Sequence, residues 1–195
     1  MVIDRQVVYA LLLTVSLAGC ASKAMLKSDA APEPKPDQAL LVFMRSSALG
    51  GAVQASVFDV SAGNEKLVGI VSTGTKVGYY LPPGTHTFMV VSEAADFMRA
   101  TVEPGKICYA VVTPRMGMWK ARFSLRPVRR SELGGSEFAE WDSGTGFVIN
   151  SEQSHAWAAQ NAGDIAAKRA AYWPQWLGKS VEDRAMQTLN AEDCR

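Results

Sequence analysis

Arg115, Lys120, Arg122, Arg126, Arg129 and Arg130 lie within sixteen residues that contain no acid. If residues 118–126 form a strand, its period of two sets Lys120, Arg122 and Arg126 on one face. Such a stripe suits an anionic partner, either lipid phosphates or an acidic protein. It equally suits a solvated strand face on which Lys and Arg discourage edge pairing. Acidic residues between 132 and 142 could fold back on it. Other chemistry is sparse. The two histidines, His86 and His155, stand alone, with no H-x-H or H-E-x-x-H beside either. A zinc site needs three or four converging ligands, so no metal is expected. No G-x-S-x-G marks a nucleophile, and Gly144-Thr145-Gly146 lacks the remainder of a phosphate loop. Glu132 and Glu137 sit in a Gly-rich connection, where no acid–base role is needed to explain them. No catalytic residue and no cofactor is assigned. Trp141, Trp157, Trp173 and Trp176 concentrate the aromatic surface in the last third. Exposed, they would stack on sugars or form an interface. Buried, they would fix short helices to the rest of the fold, and burial of at least two is expected.

The third kind of chemistry is a thiol at the end of an apolar run. Residues 7–17 are apolar apart from Tyr9, Thr14 and Ser16, behind a weak positive start at Arg5. Eleven positions cannot cross a ~30 Å hydrocarbon core as a helix, but they fit the central region of a secretory signal. Leu17-Ala18-Gly19-Cys20 then resembles the lipobox of bacterial lipoproteins. That resemblance implies cleavage before Cys20, a thioether-linked lipid on its sulfur and acylation of the new amine. Ala21, in place of Asp, implies sorting to the outer membrane, facing the periplasm. Residues 1–19 are thus read as a lipoprotein signal peptide, and the membrane is the expected partner through Cys20.

Cleavage leaves 195 − 19 = 176 residues, enough for one domain with its own core. The chain carries 20 basic and 19 acidic side chains, and the signal removes one of each. A near-neutral product argues against nucleic acid, whose binding rests on neutralising phosphates. Cys108 and Cys194 survive processing in a compartment that permits disulfides, and they are a candidate pair. A buried free Cys108 is the alternative.

Residues 20–38 follow the lipidated cysteine with alternating proline and charge, and read as a tether with a reach of roughly 50 Å. From 39 to 127 short apolar segments alternate with turn signals: 39–45, 52–60, 66–72, 76–81, 85–92, 98–103, 106–114 and 118–126. Their spacing predicts a seven- to eight-stranded antiparallel β-sandwich. Residues 128–195 form a Gly-rich connection and then two short helices expected to pack on the sandwich. Asn150 with Gln153 resembles a capping box for the first helix, which Pro174 should stop. Ser180 with Asp183 would cap the second.

Three stretches, VFMRSSALGGAVQASVFDV, STGTKVGYYLPPGTHTFMVVSEAADFM and VVTPRMGMWKARFSLRP, resemble a bacterial lipoprotein family that contains a β-sandwich domain of unknown function. The resemblance covers roughly residues 40–127. It implies a small sandwich on an envelope anchor and brings no catalytic residues with it. The expected function is therefore a lipid-anchored, non-enzymatic binding or structural module of the envelope. The alternative is an envelope enzyme or small-molecule receptor whose site is not visible in the sequence.

Overall fold

Residues 24–47, 53–115 and 122–195 are described by the computed structural model. Cys20 and Lys120 lie outside them. The described residues form a mainly β structure with two sheets and four α-helices. The strands are β1 (Met25–Lys27), β2 (Ala39–Arg45), β3 (Ala55–Asp59), β4 (Lys66–Val71), β5 (Thr75–Leu81), β6 (Gly84–Val91), β7 (Ala95–Val102), β8 (Ile107–Arg115), β9 (Arg122–Pro127), β10 (Gly146–Asn150) and β11 (Thr188–Leu189). The helices are α1 (Ser136–Ser143), α2 (Glu152–Gln160), α3 (Ala162–Leu177) and α4 (Val181–Met186). One sheet runs β1-β10-β5-β2-β8-β9 and the other β11-β7-β6-β3-β4.

The eight expected strands correspond to β2 through β9. The additional β1, β10 and β11 are two to five residues long and lie in Pro-rich, Gly-rich and helical text. Pairing is mixed and not purely antiparallel, since β2–β8, β10–β5 and β11–β7 are parallel. A parallel neighbour requires a long crossover, and between β2 and β8 the chain passes through β3 and β4 of the second sheet, returns as β5 beside β2, and goes back through β6 and β7. Alternation along a strand reports which face is buried, not the direction of its neighbour.

β2 has all seven residues buried because both of its faces are covered. Between the sheets, Phe43 of β2 meets Phe88 of β6 edge to face at 5.1 Å, and Tyr79 of β5 meets the same ring at 6.1 Å. The outer face of the six-stranded sheet carries a second apolar cluster, with Leu40, Val42, Met44, Tyr109 and Val111 under Phe138 of α1. α3 covers the outer face of the five-stranded sheet. Phe97 packs on Trp173 at 4.9 Å, and Trp173 stacks on Trp176 at 5.2 Å. Trp176 is fully buried, while Trp157 and Trp173 are half-buried against the same core and Trp141 against the outer cluster.

Three local expectations change. α3 runs through Pro174 to Leu177. The missing N–H there forfeits one backbone bond near the helix end, and burial of Trp176 beyond it outweighs that loss. The cap of α2 is Ser151, whose hydroxyl accepts from the amides of Gln153 and Ser154, while Asn150 receives the Ser154 hydroxyl. Residues 24–38 do not stand off as free chain. β1 pairs with β10, and Tyr80 donates its hydroxyl to the Glu33 carbonyl at 2.6 Å. Pro32 lies so close to Gly78 that a Cβ at position 78 would come within 2.7 Å of its ring. Prolines have no amide to satisfy, so they can lie over a sheet face where a glycine leaves room.

Candidate functional site

β8, β9 and the α3–α4 connection enclose a cleft of about 330 Å³ whose lining includes Thr113, Arg115, Ser124, Arg126, Lys179 and Gln187. A smaller hollow beside it shares Arg115 and Lys179 and adds Arg122. β9 alternates as its sequence requires: Phe123 and Leu125 are buried while Arg122, Ser124 and Arg126 turn outward. Lys179 arrives from the end of α3, at a distance along the chain that no local pattern reveals.

Asp96 of β7 is the hub. It is 6% exposed and sits where the edges of the two sheets approach. One carboxylate oxygen accepts from Lys179 Nζ at 2.8 Å. The other accepts from Arg115 at 3.3 Å, Ser124 Oγ at 2.5 Å and Gln187 Nε2 at 2.6 Å. Gln187 in turn accepts from Trp176 Nε1 at 2.9 Å and from Lys179 at 2.6 Å. Four donors thus converge on one carboxylate, three of them on the same oxygen. Asp96 therefore orients two cations, a serine hydroxyl and an amide around one buried charge.

The basic run is divided among several tasks. Arg126 donates to Glu132 at 2.7 Å and lies over the Trp141 ring at 4.8 Å. Arg129 binds Asp193 at 2.8 Å and the Thr188 carbonyl at 2.7 Å. Arg130 donates to the Cys194 carbonyl at 2.6 Å. These last two hold the C-terminal segment against the sheet. Arg122 is exposed beside the cleft. Burial pushes the Glu132 carboxyl up, but the Arg126 side chain, the Arg129 amide and the charges of both arginines outweigh it and hold the group below its ordinary value. Around the cleft, Arg115, Arg122, Arg126 and Lys179 face Asp96, Glu132 and Asp183, so four cations against three acids leave one positive charge. The attraction for an anion is weak and screened by solvent. Met186, 61% exposed, and Leu125 add an apolar wall.

Cys108 of β8 and Cys194 form a disulfide with Cα atoms 4.4 Å apart. Both are buried, and Arg195 extends the attachment by exchanging backbone hydrogen bonds with Ile107. His86 Nε2 meets the Pro82 carbonyl at 2.9 Å, and His155 is exposed on α2. Among the described residues no group of three or more His, Cys, Asp or Glu is arranged to hold a metal.

Sequence reading missed Asp96, Lys179 and Gln187. An acid in the polar SEAAD turn carries no sign of burial. Three residues at 96, 179 and 187 share no spacing that marks a site. The chain matches no protein-family model and no curated protein.

Proposed function

We propose that this chain is a lipid-anchored lipoprotein of the outer membrane, facing the periplasm and acting as a non-enzymatic binding or structural module. The carrying observation is Leu17-Ala18-Gly19-Cys20 at the end of an eleven-position apolar run. The Cys108–Cys194 disulfide supports export, because such bridges persist in oxidising compartments. The shared core between two sheets supports a β-sandwich reading of the fold. The four donors held by Asp96, two of them cations at the cleft, support a binding role for it. The cleft itself favours the second reading, a receptor for a small anionic molecule. The anchor is tested by mass spectrometry of the native protein, in which an acylated N-terminus at Cys20 is expected. Cys20→Ser should block lipidation and accumulate the uncleaved precursor. An intact Met1 in the native product would overturn the reading.

A further inference from the structure

We propose that the β1–β10 edge of the six-stranded sheet rests in the headgroup–acyl boundary of the bilayer that holds the Cys20 anchor. The proposal rests on the lipoprotein reading. Leu26 and Ile149 are directly opposite each other across this edge, 53% and 52% exposed, while Met25 and Val148 on the other face are buried. Two large aliphatic side chains are thus paired toward solvent at the outermost strand. The length of chain before β1 names their occupant. Only four residues separate Cys20 from Met25, and a chain advances at most about 3.3–3.6 Å per residue. The backbone of Cys20 therefore lies within about 18 Å of β1. With residues 24–38 bound along the sheet, the fold has no long tether on which to swing away.

The same constraint sets the orientation. α1 stands on the outer face of the sheet, with Phe138 against Tyr109 at 4.9 Å, and exposes Glu137 and Glu140. A helix ~10 Å thick with an acidic surface keeps that face from lying flat on anionic headgroups. Contact is therefore edge-on. β9 is the opposite edge, five strand spacings or about 24 Å from β1. That distance exceeds the ~8–10 Å Debye length. The basic cleft faces the periplasm, beyond reach of its own bilayer, and is open to a soluble or protein-borne anion.

The acylated protein, reconstituted in phosphatidylethanolamine–phosphatidylglycerol vesicles containing a phospholipid with a diazirine in its acyl chain, provides the test. Photolysis and peptide mapping should place adducts on residues 25–28 and 146–150 and spare 122–130. Leu26→Asn with Ile149→Asn should lower the adducts roughly tenfold with only a small drop in melting temperature, since about half of each side chain faces solvent. Adducts spread over the fold, concentrated on β9 or unchanged by the double substitution would overturn the docking. An acylated Cys20 with no adducts on the fold overturns it while leaving the anchor intact. A native protein without acylation at Cys20 removes both.

Discussion

At the scale of single residues, the cations that look available in the sequence are mostly occupied. Glu132 shows what this occupation contributes. Its folded carboxyl holds a proton less tightly than its unfolded one, so its contribution is complete above the ordinary value of 4.5 and fades as pH falls through the lower folded value. Glu132→Gln should therefore flatten the acid limb of the stability profile. The cost at neutral pH should be at most ~1 kcal/mol, because Arg126 is 39% exposed and the pair is screened. Urea unfolding of both proteins between pH 3 and 7 checks this. Asp96 is a different case. Asp96→Ala leaves Lys179, Ser124 and Gln187 without their shared acceptor in a buried site, and should cost ~3 kcal/mol or more. Chemical denaturation measures it, and a cost below ~1 kcal/mol would contradict the hub.

At the scale of elements, the C-terminal segment is held by covalent, ionic and sheet contacts together. The disulfide closes a loop of 86 residues, for which chain entropy alone gives up to ~4–5 kcal/mol. Cys108→Ala with Cys194→Ala should approach that loss in denaturant midpoint. It should also speed amide exchange at Ile107 and Arg195, which hydrogen-bond each other. Unchanged protection at both amides would show that Arg129 and Arg130 suffice to hold the segment. α3 depends on similar tertiary support. Its Trp173 and Trp176 pack on Phe97, and Trp176 donates to Gln187, which ties the helix to the Asp96 network.

At the scale of the whole molecule, residues 24–38 belong to the fold. Met25 sits in the core beside Val77 and Gly69, and Asn150 next to it donates to the Val68 carbonyl at 3.0 Å. A soluble protein beginning at Ala39 should be less stable than one beginning at Ala24 by at least ~2 kcal/mol, the cost of removing a buried methionine and its strand. Thermal unfolding of the two decides it, since a true tether could be removed without effect. The paired Leu26 and Ile149 lie at one edge of the six-stranded sheet and the Arg115–Lys179 cleft at the other, so the sheet separates the proposed lipid contact from the cleft.

The amino-acid sequence by itself determined where strands form and which of their faces are buried. Alternation such as Phe123, Leu125 against Arg122, Arg126 is a local consequence of the strand period, and eight strands were legible from short apolar segments set between turn signals. The start of α4 was legible for the same reason, because Ser180 accepts from the Asp183 amide three residues on. Only the tertiary structure decided the parallel pairing of β2 with β8, the strands made by residues 25–27, 146–150 and 188–189, and the course of the Pro-rich segment. Each of these is stabilised by partners distant along the chain. Neither the short β1 nor the helix around Pro174 has a local preference strong enough to announce itself. The Asp96 site was illegible on the same ground, since its donors come from residues 115, 124, 179 and 187 and meet only once both sheets and α3 are in place. Local periodicity is written in neighbouring residues, whereas a site made by closure of the fold depends on the energy of the whole.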